Sequence, residues 1–200
     1  MKELIDLALN VLNVKGASYG DIRIIDSNTE SIYVKNGTVN VLERTQGLGL
    51  GIRVIKNGVW GFAASSNLSK DSIEQTAALA VKVAESSARL KAKDIFMDEK
   101  PKIVDKYATK INIDPFTVAM DDKLNLLLQA DELMRKNKVV KIAESRLDFW
   151  RTKKLFASTD GSFIEQEVIE SSGSIGATAV KDGETGERSY PGFLGRHCKA

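Results

Sequence analysis

Glycine at every second position of residues 47–51 is the feature that most restricts how this chain folds. The stretch reads GLGLGIRV over residues 47–54. Because successive side chains of a β-strand point to opposite faces, this pattern predicts a strand with one apolar face and one bare face. Two interpretations follow for the bare face: a helix or another backbone packs closely on it, or a substrate chain lies against it. The apolar face would carry Leu48, Leu50, Ile52 and Val54, and the bare face Gly47, Gly49, Gly51 and Arg53.

The same spacing excludes a phosphate-binding loop. A dinucleotide fingerprint needs G-x-G-x-x-G between a strand and a helix. Counted from Gly47, the third glycine would stand at position 52, which is Ile52; counted from Gly49 it would stand at Val54. The glycines therefore indicate a strand and not a nucleotide site.

Asparagine-glycine pairs predict two tight hairpins in the first half of the chain. Asn36-Gly37 and Asn57-Gly58 separate apolar-alternating runs, and both residues of a type I′ turn need positive φ. We predict an antiparallel meander of four or five strands, with a polar break at residues 27–30. Trp60 and Phe62 share one face of the last strand, where they either pack on a helix or form an exposed ledge. The predicted strands cover residues 21–26, 31–35, 38–44, 48–56 and 59–64.

Two helices complete the first half. Apolar residues recur at helical spacing over residues 2–14, and Ser69 is a suitable N-cap for an alanine-rich helix that follows. Small side chains let a helix approach a sheet closely, so we favour this helix as the partner of the bare glycine face. Together these elements predict a two-layer α+β domain over residues 1–92.

The second half predicts a smaller unit of the same class. Residues 93–118 contain two of the three prolines and are expected to be a linker. A leucine-rich helix at about 120–136 and hairpins at Asp160-Gly161 and Asp182-Gly183 indicate a second antiparallel α+β unit over residues 119–200. The glycine-rich stretch after Gly183 has no periodic apolar face and is expected to be a loop or tail. The fold class is therefore α+β, an antiparallel meander packed on helices and followed by this second unit.

Charge and composition argue against two functional classes. The chain has 29 basic and 27 acidic residues, a net charge of +2, and so lacks the clustered basic charge of a nucleic-acid binder. No apolar run approaches 18 residues, which argues against a membrane span. A single cysteine rules out an internal disulfide framework, and the cytoplasm is the expected compartment.

Metal ligands are scarce. The only histidine, His197, stands beside the only cysteine, Cys198, near the C-terminus. Zinc needs three or four ligands, and adjacent residues of an extended chain point apart. We therefore predict neither a catalytic nor a metal-binding residue in this chain. An unrelated carboxylate enzyme remains a third hypothesis, although a charged outer face explains its candidate residues more simply; these are Asp121, Asp122, Glu165 and Glu167.

The order of these motifs resembles the TldD/PmbA family, once named modulators of DNA gyrase and now regarded as metallopeptidases. The segments GASYGDIRI, KNGTVN and TQGLGLGIRVIKNGVWGFAASSNLS, followed by the alanine-rich helix, are similar to its amino-terminal region. INIDPF, the leucine-rich helix and FASTDGSFIEQE are similar to its middle region. The resemblance covers nearly the whole chain.

The resemblance implies a role in proteolysis without catalysis by this chain. Catalytic members carry a His-Glu-x-x-x-His zinc motif after the middle region, and no position here matches it. We therefore expect the chain to be either truncated before the catalytic domain, which we favour, or of the metal-free partner type that the family also contains. Zinc is expected in the full-length parent. The implied partners are a peptide or unfolded protein and a homo- or heterodimeric family member. An interaction module of the gyrase-modulator type without enzymatic activity is the alternative. The expected peptide-contact face consists of Gly47, Gly49, Gly51, Arg53, Trp60 and Phe62.

Overall fold

The structure is a computed structural model that describes residues 1–98 and 101–192. The chain forms two compact units, and each is built from separate segments of the sequence. Unit 1 comprises Met1–Ser27, Gly47–Ala108 and Thr152–Glu167. Unit 2 comprises Asn28–Gln46, Thr109–Arg151 and Val168–Ala200. The contiguous division into residues 1–92, 93–118 and 119–200 is of a different kind and stays a prediction.

Three helices and seven strands make up the described residues, which confirms the α+β class. The strands form one sheet in the order β3-β2-β1-β5-β6-β4, with β7 paired to β6. The pairs β2–β3 and β6–β7 are antiparallel, whereas β4 and β6 are parallel. The elements are α1 (Lys2–Val14), β1 (Tyr19–Lys35), β2 (Thr38–Lys56), β3 (Val59–Ser65), α2 (Lys70–Ser87), β4 (Val104–Ala108), α3 (Met120–Arg135), β5 (Val140–Ser158), β6 (Phe163–Lys181) and β7 (Glu184–Tyr190).

The hairpin turns and the helices follow the sequence closely. Asn36 and Asn57 have φ of 48° and 53°, and the glycine after each also has positive φ, as a type I′ turn requires. The Ser69 side chain accepts a hydrogen bond from the backbone N–H of Ser72 and so caps α2. Both hairpins and all three helices are therefore where the sequence predicts them.

The strands are longer than predicted. Residues 27–30 do not break β1, which runs without interruption through Asn28, where unit 1 gives way to unit 2. The polar residues are tolerated because Glu30, only 1% exposed, pairs with Lys123 of α3. The predictions of a break there and of five short strands were wrong, since β1 and β2 each replace two of them.

Two further segments differ from the prediction. Glu184–Tyr190 is not a loop: it returns as β7 from the turn at Asp182 and Gly183, although every one of its residues is exposed. A strand that buries no face has no alternating apolar signal. The expected linker likewise contains β4, which pairs with β6.

Unit 1 has its core on one face of the sheet. The helices α1 and α2 cover this face, and the apolar residues of β1, β2 and β3 that point towards them are buried. The cluster includes Ile5, Ala8, Leu12, Ile22, Ile24, Leu50, Ile52, Val54, Val59, Ala63, Ile73, Ala77, Ala80, Val81 and Ala84.

Unit 2 has a smaller core under α3. Ile32 and Val34 of β1 pack against Leu127, and the Ser145 hydroxyl donates to the Leu127 carbonyl at 3.0 Å. Glu30 lies in the same layer, with both Lys123 Nζ and Arg44 Nε at 2.5 Å from its carboxylate. None of the helices in the described ranges is long and apolar enough to cross a membrane.

Candidate functional site

The α2 helix packs on the apolar face of β2 and not on its glycine face. Leu50, Ile52 and Val54 are at most 4% exposed and share the core with α2. Our preferred prediction, a small-residue helix against the glycine row, was therefore wrong. The reason is energetic: burying the apolar face removes far more hydrocarbon from water than burying glycines would.

A different glycine makes the close contact with α2. Gly61 of β3 pairs with Val54 and faces the helix. A Cβ added to Gly61 would lie 2.7 Å from the Ala84 nitrogen and 2.9 Å from the Ala84 Cβ, and it would also overlap the Ala80 carbonyl oxygen. Only glycine fits this position, because the obstructing atoms belong mainly to the helix backbone.

The glycine row of β2 lines an open groove on the face of unit 1 opposite α1 and α2. The groove has a volume of about 450 Å³. Side chains of β1 and β3 flank it, and among them Phe62 is 57% exposed and Ile25 is 41% exposed. We call this feature the glycine groove; it is lined by Arg23, Ile25, Ser27, Gly47, Gly49, Leu50, Gly51, Arg53, Phe62, Ala64, Ser65 and Ser66.

Five of the six residues expected at a peptide-contact face line this groove. The Phe62 ring leans over Gly51, since a Cβ added there would lie 3.1 Å from Phe62 Cε2. Trp60 is the exception: it is half-buried, and its ring meets Tyr19 edge to face at 5.9 Å between centroids. Neither aromatic residue packs on a helix. Of the two predicted arrangements, helix packing or an exposed ledge, the structure has the ledge, and Phe62 forms it.

The carboxylate of Asp21 holds the two arginines at one end of the groove, a role that no local sequence signal indicated. Its carboxylate is completely buried and accepts hydrogen bonds from Arg53 Nε at 3.1 and 3.2 Å and from Arg53 Nη2 at 2.7 Å. Arg23 Nη2 lies 3.7 Å from the same carboxylate. The hydrogen bonds to Asp21 raise the pKa of Arg53, which keeps this guanidinium charged.

An aromatic ring lies against each of the two arginines. Arg53 lies 5.1 Å from the Trp60 ring centroid, and Arg23 lies 5.3 Å from that of Phe156. Burial, together with the negative charge of Asp21, raises the pKa of Tyr19 to about 12. Tyr19 therefore remains a neutral hydrogen-bond donor next to Asp21 at neutral pH.

A second cavity of unit 1 shares the two arginines with the glycine groove. It has a volume of about 530 Å³ and is lined by Arg23, Arg53 and two acidic residues, Asp98 and Asp160. Burial alone would raise the pKa of Asp160, but hydrogen bonds from Ser158 and Ser162 lower it on balance. This cavity is thus mixed in charge, whereas the glycine groove has no acidic lining residue.

Unit 2 has a polar cavity of about 590 Å³. Tyr33 donates to Glu144 at 2.5 Å, and Arg146 Nε donates to Asp148 at 2.6 Å. Burial, followed by the hydrogen bond to Glu144, raises the pKa of Tyr33 to about 12, and the same bond lowers the pKa of Glu144. Its charges are therefore paired within the cavity wall.

The remaining carboxylate candidates do not assemble a site. Asp121 and Asp122 are exposed in the first turn of α3, where they complement the helix dipole. Glu165 pairs with Lys106 at 3.4 Å and Glu167 with Lys153 at 3.8 Å, as expected of a charged outer face. The pair His197 and Cys198 lies outside the described residues.

The chain matches two domains of one known protein family. Domain 1 of the PmbA/TldA metallopeptidases matches residues 20–84, and the central domain of the same metallopeptidases matches residues 113–196. The chain belongs to the TldD/PmbA family. The first match covers all lining residues of the glycine groove and also Asp21, which pairs with Arg53.

Curated relatives of this TldD/PmbA chain are metalloproteases. One from Methanocaldococcus jannaschii is 29% identical over 150 residues, which are 75% of this chain and 33% of the relative. A metalloprotease TldD homolog from Buchnera aphidicola subsp. Schizaphis graminum is 25% identical over 166 residues, or 82% and 30% of the two chains. The chain thus spans about a third of the length of the curated relatives it matches.

Solved structures share the fold at low sequence identity. A protein described as a modulator of a DNA gyrase from Thermotoga maritima superposes with a TM-score of 0.72 at 17% identity, over 94% of this chain and 42% of that chain. TldE from Thermococcus kodakarensis gives 0.67 at 15% identity, over 94% and 41%. Both cover nearly all of the TldD/PmbA chain described here.

The family name implies a metal, and zinc is the ion expected from the sequence analysis. Zinc requires three or four His, Cys or carboxylate ligands around one point. Within residues 1–98 and 101–192, no three such residues are grouped closely enough to hold an ion. The described residues therefore do not provide a zinc site.

Proposed function

We propose that this chain supplies a peptide-binding surface to a TldD/PmbA metallopeptidase, while residues other than those described here supply its metal chemistry. The glycine groove is the proposed surface. The observation that carries the proposal is that the glycine row stays open on the face opposite the helices, beside an aromatic ring that is 57% exposed.

The groove suits an extended peptide. Glycines at alternate positions let another backbone approach the sheet closely, since no Cβ stands between the two chains. Ile25 and Phe62 offer apolar contacts on the two sides. A groove that contacts mainly the peptide backbone and offers apolar pockets at its sides can bind peptides of many sequences. A peptidase that acts on unfolded segments needs this breadth.

Filling the groove tests this proposal. A Cβ on Gly49 would lie 3.4 Å from the Ser65 carbonyl oxygen, and the backbone there has no positive φ, so Gly49→Val fits the strand while its methyl groups occupy the groove. We expect Gly49→Val to weaken binding of an extended apolar octapeptide at least about tenfold by fluorescence anisotropy, or 1.4 kcal/mol. Gly49→Ala is the matched control and should bind nearly as well as the wild type. Equal affinity of all three proteins would overturn the proposal.

The proposal that this chain binds peptide without cleaving it has its own test. The chain incubated with Zn²⁺ and the same octapeptide should yield no cleavage products by mass spectrometry. Cleavage that persists through successive purification steps and co-elutes with the chain would contradict a non-catalytic role.

We also propose that unit 2 contributes a subunit contact with a second family member. The register of β2 with β3 begins at Leu50, so residues 38–49 have no β3 partner. Val39, Val41 and Leu42 are 38–54% exposed on this edge. Exposed apolar edge strands pair readily with other chains.

The oligomeric state tests the edge contact. Sedimentation velocity should show a dimer whose dissociation constant rises at least about tenfold in Val41→Lys, because lysine on an edge opposes pairing. Lys82→Gln, on an exposed site of α2, is the control. A monomeric wild type at high concentration, or a dimer unchanged by Val41→Lys, would count against this contact.

A further inference from the structure

The glycine groove ends at two arginines. Arg53 follows Gly51 on the same face of β2, and its guanidinium reaches across to Asp21 on β1. Arg53 therefore lies across the end of the glycine row. Arg23 stands beside it on β1, with its guanidinium over the ring of Phe156.

The two guanidiniums are not equally engaged. Arg53 donates three hydrogen bonds to Asp21. Arg23 lies 3.7 Å from that carboxylate, which is an ion-pair distance, and it donates no hydrogen bond to any other described residue. The side chains of both arginines remain more than a third exposed, at 37% and 38%. Guanidinium N–H donors of Arg23 and Arg53 are thus accessible from the solvent.

The local charge favours an anion on the groove side. Arg23 and Arg53 share a single carboxylate, that of Asp21, at ion-pair distance, and no Asp or Glu lines the glycine groove. Asp98 and Asp160 line the second cavity that the two arginines share, so an anion is disfavoured there. A guanidinium fork recognises a carboxylate through two parallel hydrogen bonds.

We propose that Arg23 and Arg53 bind the free α-carboxylate at the C-terminus of an extended peptide lying in the glycine groove. This inference rests on the proposed function. The terminal carboxylate is the favoured source, because Arg53 crosses the groove at this end and a chain lying over Gly47 and Gly49 would stop there. The apolar side chain of the last residue would then contact Phe62.

Three labelled octapeptides test the inference with the full 200-residue chain. The first ends in valine and leucine with a free carboxylate, the second is its C-terminal amide, and the third is the amide with one internal aspartate. We expect the acid to bind about tenfold more tightly than either amide in 50 mM salt, and the difference to shrink in 500 mM salt. An amide with internal aspartate that binds as tightly as the acid would overturn the terminal-carboxylate assignment.

Substitution of Arg23 is the cleanest variant, because the hydrogen bonds that satisfy buried Asp21 come from Arg53. Arg23→Gln should bind acid and amide with equal affinity, Arg23→Lys should keep part of the preference, and Lys82→Gln should keep all of it. Circular dichroism melting checks that each variant folds. If Arg23→Gln fails to fold, the acid-to-amide ratio of the wild type in low and high salt still decides the matter: a ratio of one overturns the inference.

The outcomes separate this inference from the proposed function. Equal binding of acid and amide to the wild type, with both lost in Gly49→Val, would leave the groove as the peptide surface and remove the carboxylate site. Binding of both peptides that is unaffected by Gly49→Val would remove the groove itself. A preference for the acid that persists in Arg23→Gln would also contradict the assignment.

Discussion

The two faces of the unit 1 sheet use glycine for opposite purposes. On the covered face, Gly61 lies so close to the α2 backbone that a single methyl group would overlap Ala80 and Ala84. On the open face, a methyl group on Gly49 would meet only the Ser65 carbonyl oxygen at 3.4 Å. A strand glycine therefore marks a place where another backbone can approach closely. Its neighbours decide whether that backbone belongs to the same chain, as at Gly61, or whether room is left for another chain, as at Gly49.

Substituting these two glycines should separate the faces most strongly. We expect Gly61→Ala to lower the free energy of unfolding by about 3 kcal/mol or more, because α2 must move away from the sheet. Gly49→Ala should change it by only about 0.5 kcal/mol, in the stabilising direction if at all. Urea denaturation followed by circular dichroism measures both. A Gly61→Ala variant as stable as Gly49→Ala would show that α2 does not pack as described.

The open face depends on a buried charge, unlike the covered face. Asp21→Asn removes the charge that holds Arg53 and Arg23, and we expect a loss of about 2 kcal/mol in unfolding free energy. The exposed Glu85, which pairs with Lys56 at 2.7 Å, offers the control Glu85→Gln, and its stability should match that of the wild type. Chemical denaturation at neutral pH compares the two. Equal stability of Asp21→Asn and the wild type would mean that the arginines are not anchored through Asp21.

The helix on the covered face begins at a specific cap. Ser69→Ala removes the acceptor for the Ser72 N–H and should cost about 1 kcal/mol. Peptide binding in the glycine groove should not change, since α2 lies on the other side of the sheet. Thermal unfolding and fluorescence anisotropy on the same sample test both statements. A loss of peptide affinity in the folded variant would contradict the separation of the faces.

The smallest effect at neutral pH concerns Tyr19. Its pKa is raised from the ordinary 10.0 to about 12, so the fold favours the neutral phenol. This contribution to stability is complete below pH 10 and is lost as the pH rises towards 12. We therefore expect the wild type to lose more stability than Tyr19→Phe between about pH 9 and pH 11.5, whereas the difference in stability between the two proteins should not change with pH below about pH 9. Parallel losses in both proteins would place Tyr19 outside the Asp21 cluster.

Local signals in the sequence predicted the local structure. The turns at Asn36 and Asn57 and the cap at Ser69 depend on neighbouring residues only, so the hairpins and α2 follow from the printed sequence. Alternation over residues 47–54 also predicted a strand with two unlike faces. The family resemblance rested on these same segments.

Long-range pairing is what the sequence did not reveal. Asp21 and Arg53 are 32 positions apart and meet only through the register of the sheet, so nothing in either segment marked them as partners. Residues 27–30 look like a polar break because the partner that buries Glu30 is Lys123, 93 positions away. The wrong prediction of the sheet face that α2 covers was avoidable, because the apolar row beginning at Leu50 already indicated where a core would form.

Residue-resolved NMR of the free and peptide-bound chain shows which face of the unit 1 sheet binds a peptide. On addition of the octapeptide with a free C-terminal carboxylate, the backbone amides of Gly47, Gly49 and Gly51 should shift, while those of Ala80 and Ala84 should stay in place. Shifts confined to α2, or the absence of shifts at the three glycines, would contradict a peptide-binding role for the glycine groove.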